Sequence, residues 1–216
     1  MFRVPSPAAV VIDSCHSKPE RHESSMASQH FHLFETTIGP CAVVWEGERF
    51  IGAQLPERDE EAARKRLSRR FPEADEVAAE GFVAEAVAGI RALFDGEKRD
   101  LSHLPVALEN VSDFNRKVYE VALAIPHGET LTYGEVAQRI GDPGAARAVG
   151  VALGQNPWPI IVPCHRVLAA GGKTGGFSAE GGVEIKLRIL TIEKARTSAE
   201  PSLFDALPLA ARPARH

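Results

Sequence analysis

Cysteine is scarce in this chain: three in 216 residues, at Cys15, Cys41 and Cys164. An odd number spread over a chain of this length argues against a disulfide framework and fits a reducing, cytoplasmic compartment. Long apolar runs are missing, since none approaches the roughly 18 residues that cross a membrane. The first residues lack a basic stretch followed by an apolar one, so no secretory leader is expected. An excess of positive charge is missing as well. The 25 Lys and Arg stand against 29 Asp and Glu, a net of −4, which argues against a chain that coats polyanions indiscriminately. What remains is ordinary: 44% hydrophobic and 25% charged residues, and enough length for one large domain or two small ones with a sizeable core.

Residues 1–29 show no periodicity and are rich in Ser, Pro, His and charge, so disorder is expected there. Met26, just before the first strand-like segment, is a candidate start of translation. Residues 31–36, 41–45 and 50–54 read as strands, with Glu46-Gly47-Glu48 turning between the last two. Residues 58–71 have helical spacing, and 82–94 place Phe82, Ala86, Ile90 and Phe94 on one stripe before Gly96 ends the helix. A first domain over 30–104 and a linker over 105–111 follow from this pattern. The second half is helical. Ser112 caps an expected helix to about 124, with Phe114, Val118, Val121 and Ile125 inward, and Pro126 and Gly128 stop it. Thr132 caps 133–140, Gly141-Asp142-Pro143-Gly144 makes a tight turn, and 145–155 forms the next helix. That is a helix-turn-helix shape. Ala145, Ala146, Ala148, Gly150, Ala152 and Gly154 leave one side of the second helix nearly bare, with Arg147 projecting. A domain over 112–196 and a tail over 197–216 complete the division.

The chemistry centres on Ile161-Val162-Pro163-Cys164-His165-Arg166-Val167, a thiol next to an imidazole in an apolar run that reads as a strand. A free thiol has a pKa of roughly 8.5, and an adjacent base brings its nucleophilic form to neutral pH. Alone, such a pair is more often part of a core. Around it stand Thr132-Tyr133-Gly134, Ala145 to Gly150, Asn156-Pro157, Gly176-Phe177-Ser178, Lys186 and Glu193. This ordered set resembles the O6-alkylguanine-DNA alkyltransferases, also called methylated-DNA–protein-cysteine methyltransferases. The resemblance is strong over 112–196 and looser over 30–104.

The resemblance implies an α/β (α+β) protein. Its N-terminal domain would be small and ribonuclease H-like. Its C-terminal domain would be mostly helical, with a winged helix-turn-helix-like unit carrying DNA binding and the active site. It implies a single irreversible transfer of a methyl or other alkyl group from O6-alkylguanine, with O4-alkylthymine a second candidate lesion, to Cys164. In this scheme His165 is the base, acting through a water, and Glu193 orients it. Asn156 ties the recognition helix to the active-site turn. Tyr133 hydrogen-bonds the leaving base, Val167 and Ser178 read it through backbone groups, and Phe177 packs on it. Arg147 fills the stack vacated by a flipped base. Expected partners are a double-stranded DNA bearing alkylated bases, met in the minor groove, and no membrane; the protein is expected to be a monomer without cofactor or metal.

Two departures stand out. Phe177 takes a place often held by Tyr, and the loop from Ser178 to Gly182 is two residues longer than a shorter version of the family pattern. Charge agrees with a division of labour. Residues 1–111 carry 13 basic against 19 acidic residues, a net of −6, and residues 112–196 carry 10 against 8, a net of +2. Only the second half is then expected to meet phosphates. Cys15 with His16, His22, His30 and His32 lacks the ordered spacing and thiolate number of a tetrahedral zinc site, and Cys41 reads as core. Three rivals stay open at this point. A cysteine hydrolase needs an oxyanion hole and turnover; a lesion-sensing relative typically lacks the cysteine. A transcription regulator needs base-reading side chains, of which 145–155 offers only Arg147 and Gln155.

Overall fold

The computed structural model describes residues 28–172 and 182–195. Strands β1 (Gln29–Phe34), β2 (Cys41–Glu46) and β3 (Arg49–Gln54) run antiparallel. A short β4 (Asp75–Glu76), absent from the sequence-based expectation, pairs parallel with β1 to give the order β3-β2-β1-β4. Residues 41–45 of β2 are all buried, because the sheet is covered on both faces. Cys41, Val43 and Trp45 point into the main core with the helix α2 (Gly81–Phe94), whereas Ala42 and Val44 meet Phe31 of β1 and Leu67 of the helix α1 (Glu60–Arg70). A strand packed on both sides loses its apolar–polar alternation. Gly52 serves the same packing: a Cβ there would come within 2.4 Å of the Phe71 ring.

Helix α1 starts at Glu60 rather than 58. Asp59 keeps an extended backbone and its Oδ1 accepts the Ala62 N–H at 2.8 Å, which is an N-cap. Helix α2 buries Val83, Ala86, Val87, Ile90, Leu93 and Phe94, a wider stripe than the four residues read from the sequence. Phe82 is only half-buried and tilts against Phe50, with ring centroids 5.2 Å apart.

The second half is seated on the edge of β3. Phe50 N–H donates to Pro105 O at 2.7 Å and Ala107 N–H donates to Phe50 O at 3.0 Å, so residues 105–107 extend the sheet. Ala53 N–H donates to Pro157 O at 2.8 Å, and the Trp158 indole N–H donates to Phe50 O at 2.6 Å. One continuous apolar cluster then runs from Phe34 to Ile189 across both halves. Such a shared core holds the halves as one packed body.

Ser112 caps α3 (Asp113–Leu123), its Oγ accepting the Asn115 N–H at 3.2 Å. Thr132 and Glu135 form a reciprocal capping box on α4 (Tyr133–Arg139). A tight turn with Gly141 at φ +83° leads to α5 (Ala146–Gly154). Two-residue strands β5 (Leu131–Thr132) and β6 (Val167–Leu168) pair in parallel, and α6 (Gly182–Ile192) closes the described chain. The expected α/β architecture, a small sheet first and a helical half after it, is what the chain forms. One local expectation is corrected. The apolar run before and through Cys164 is not a strand, because residues 158–162 close a turn in which Val162 N–H donates to Trp158 O at 2.8 Å. Ile160 is held inside it at φ +79°, a conformation that costs a β-branched residue energy and that the surrounding core enforces. Cys164–Arg166 then form a single 3-10 turn, and β6 begins only at Val167.

Candidate active site

Cys164 opens that 3-10 turn, its N–H bonded to Val162 O at 2.8 Å. The residue before it is a proline, which cannot continue a ladder and leaves the thiol at a corner of the chain. Asn156, just past the end of α5, holds this corner from behind. Its Nδ2 donates to Val162 O at 2.9 Å, and its Oδ1 accepts the Trp158 N–H at 3.0 Å. Burial pushes the Cys164 thiol up; hydrogen bonding from Asn156 and the positive charge of Lys186 pull the other way.

Because the turn is 3-10 rather than extended, His165 is directed inward and is 1% exposed. Its Nε2 meets Glu193 Oε1 at 3.1 Å, just beyond α6. Burial of the Glu193 carboxyl would raise its pKa, but the bonds from His165 and Arg166 outweigh it and bring it down to about 2. The carboxylate only accepts, so the imidazole carries its proton on Nε2 and presents Nδ1 as a lone pair. Burial also lowers the His165 pKa against the pull of Glu193, which keeps the ring neutral rather than charged and leaves Nδ1 able to accept a proton.

Sequence reasoning missed how much of this network belongs to Arg166. Its Nε and one terminal nitrogen grip both oxygens of Glu193 at 3.0 and 2.7 Å, and the other donates to Ile125 O at 2.7 Å. Arg166 is 7% exposed and Glu193 2%, so this is a buried, bidentate ion pair shared with a histidine. Both residues stand in the motif; their pairing across 27 positions is not visible in it. Lys186 was noted without a role. It is wholly buried, donates to Val167 O at 2.6 Å and lies 5.8 Å from the Tyr133 ring centroid. Burial brings its pKa down to about 8, while Cys164 favours its charge.

Tyr133 is the first residue of α4, half-buried, with burial raising its hydroxyl pKa. Its ring approaches the backbone of Gly150, where an added Cβ would lie 3.8 Å away. Arg147 is exposed on the first turn of α5 and makes no ion pair among the described residues. Val167 is fully buried and contributes its carbonyl to Lys186. Phe177, Ser178 and the rest of that loop up to residue 181 lie outside the described residues, as do Cys15, His16 and His22. Cys41 is buried core, its thiol pushed up to about 12 by burial. Among the described residues no group of three or more His, Cys, Asp or Glu is placed to hold a metal ion, and no helix is long and apolar enough to cross a membrane.

A thiol at a corner of the chain, an imidazole bonded to a buried carboxylate and a capped helix beside them are the parts of a cysteine-nucleophile site. The thiol lies next to two helices joined by a tight turn. A family model for the DNA-binding domain of 6-O-methylguanine DNA methyltransferase matches residues 113–195. The methylated-DNA–protein-cysteine methyltransferase of Mycobacterium tuberculosis is 39% identical over 177 residues, 82% of this chain and 99% of the relative. That of Methanosarcina acetivorans is 36% identical over 166 residues, 76% and 97%. Among solved structures, M. tuberculosis O6-methylguanine methyltransferase superposes with a TM-score of 0.62 at 36% identity, covering 80% of this chain and 96% of that one. A complex of the M. tuberculosis protein with DNA gives 0.63 at 36% identity, covering 76% and 92%. The chain belongs to the methylated-DNA–protein-cysteine methyltransferase family.

Proposed function

We propose that this protein repairs DNA by moving the alkyl group of O6-alkylguanine, methyl above all, onto Cys164 in one irreversible step. The observation that carries this reading is the buried His165–Glu193–Arg166 network behind Cys164, inside the segment that matches the family model. His165 Nδ1 takes the thiol proton through a water, and the sulfur attacks the alkyl carbon in line. The C–O bond breaks, its electron pair goes to guanine, and a proton returns to the base. Tyr133 donates to the departing base as its charge develops, the preorganised-donor effect. The product is a thioether, which no neighbouring base can hydrolyse, so each molecule acts once.

The lesion sits in a stack, and bringing it to Cys164 costs a few kcal/mol of unstacking. Arg147, exposed on α5, is the side chain that fills the gap, and the small residues of that helix allow close approach to the minor groove. Backbone groups at Val167 and Ser178 read the extruded base, and Phe177 packs on it. The protein works as a monomer in the cytoplasm and needs no cofactor.

The test is a time course of demethylation of a duplex carrying one O6-methylguanine, at several protein-to-DNA ratios. Repair should stop at one lesion per protein molecule. Continued turnover would favour a cysteine hydrolase, and duplex binding without any repair would favour a lesion sensor.

A further inference from the structure

A cavity of about 260 Å3 lies between the C-terminal end of α5, the end of β3 and helix α1, with Gln54, Arg66, Arg70, Gln155, Asn156 and Cys164 in its wall. Cys164 and Asn156 belong to the site described above; neither Arg66 nor Arg70 does. Residues 58–70 hold six basic and three acidic residues, a local excess hidden inside an acidic half. Three of the six basic residues are matched, and of the other three only Arg70 lines the cavity. Arg58 pairs with Asp59, Arg64 with Glu60 and Glu76, and Arg66 with Glu57 at 2.9 Å. Arg70 has no carboxylate partner among the described residues. It donates to Ala53 O at 3.2 Å and lies over the Phe71 ring at 5.1 Å. Burial, with Arg66 beside it, holds its guanidinium below the usual arginine range, the mark of a cation without a counter-charge.

The position of this cation matters. The exposed stripe of α5 runs through Arg147, Ala148, Val151 (56% exposed) and Gln155, and Gln155 is in the cavity wall with Arg70. A nine-residue helix is about 13 Å long, whereas a minor groove is about 6 Å wide, so α5 laid across that groove would bring both its ends to backbone phosphates. The N-terminal end favours an anion through its free N–H groups; the C-terminal end presents carbonyls and repels one. Gly154 and Gln155 bring no charge to offset that.

We propose that Arg70, on the N-terminal unit, contacts a DNA backbone phosphate at the C-terminal end of α5, so that the acidic half of the chain takes part in DNA binding. Glu57 does not oppose this, because Arg66 holds its carboxylate. The proposal rests on the DNA-repair reading and amends the sequence-based expectation that only residues 112–196 meet phosphates.

Anisotropy of a labelled undamaged duplex, titrated with the full chain from about 50 to about 200 mM salt, reads the contact. Losing one phosphate contact lowers the slope of log affinity against log salt by about 0.9. Arg70→Gln should therefore bind several-fold more weakly at low salt, and its deficit should shrink by about 3.5-fold across that range. Arg70→Lys should recover most of the slope, since an ammonium still serves a phosphate, and this guards against a variant that is merely misfolded. Arg91→Gln makes the same charge change on α2, outside this cavity, and should keep the wild-type slope. A wild-type slope in Arg70→Gln overturns the proposal, as does an equal loss in Arg91→Gln. A melting shift with inorganic phosphate that Arg70→Gln abolishes while its duplex slope stays normal also overturns it, leaving a free-anion site. Failure of the repair reading is separate: the wild type itself would then not accept the methyl group, whatever the slope of Arg70→Gln.

Discussion

Replacing Glu193 by glutamine perturbs the centre of the site with almost no change in shape. The carboxylate accepts from His165 at 3.1 Å and from Arg166 at 3.0 and 2.7 Å, and all three groups are buried. Glutamine leaves the Arg166 guanidinium without its counter-charge, and breaking a buried pair from one side costs about 3–5 kcal/mol. For a chain of this size each kcal/mol moves Tm by about 2–4 °C, so a fall of roughly 6–20 °C is expected. Arg166→Met alone should cost a similar amount. The double variant leaves no unpaired charge and should be less destabilised than the two singles summed, by about 1–3 kcal/mol. Acid adds a second reading. The Glu193 carboxyl titrates at about 2 in the folded protein against an ordinary 4.5. Its contribution to stability is thus complete above pH 4.5 and is lost as pH falls toward 2. The gap between wild type and Glu193→Gln should close over that window. Urea unfolding at several pH values measures all of this. Additivity of the singles within about 0.5 kcal/mol, or a gap that ignores pH, would refute a shared buried charge network.

Trp158→Phe removes the indole donor to Phe50 O, which keeps only the Ala107 N–H; a loss of about 0.5–1.5 kcal/mol in urea unfolding is expected, and no loss would deny the seam between the halves. Lys186, brought down to about 8 from 10.5, holds its proton less tightly folded than unfolded. Wild type should therefore gain stability relative to Lys186→Met as pH rises from about 8 to about 10.5, and a flat difference in chemical denaturation would contradict burial of the ammonium. Arg147→Ala should slow single-turnover repair of paired duplex by about tenfold or more, with a smaller deficit on single-stranded DNA, where no stack has to be refilled. Equal deficits on both substrates would remove Arg147 from base extrusion.

Local features of the chain were legible because they are local. Ser112, Thr132 and the Gly141–Gly144 turn mark helix ends by chemistry confined to a few residues, and the structure places those ends within a residue or so. Long-range pairing was not legible. The two-residue β4 and the partnership of β5 with β6 have too few residues to show a period. The run before Cys164 read as a strand because apolar content cannot distinguish a buried strand from a buried turn, and the Trp158–Val162 bond that bends it is a tertiary outcome. At the site, the Cys164–His165 pair and Glu193 were readable as a motif. The grip of Arg166 on Glu193 and the charge of Arg70 at the end of α5 follow only from folding distant segments together.

The most direct measurement is intact mass of the full chain after incubation with excess duplex carrying one O6-methylguanine, followed by peptide mapping. A single gain of about 14 Da, the mass a methyl adds in replacing the thiol hydrogen, should map to Cys164 and vanish in Cys164→Ala. An unchanged mass beside a demethylated duplex, or the same gain in Cys164→Ala, would contradict transfer to this thiol.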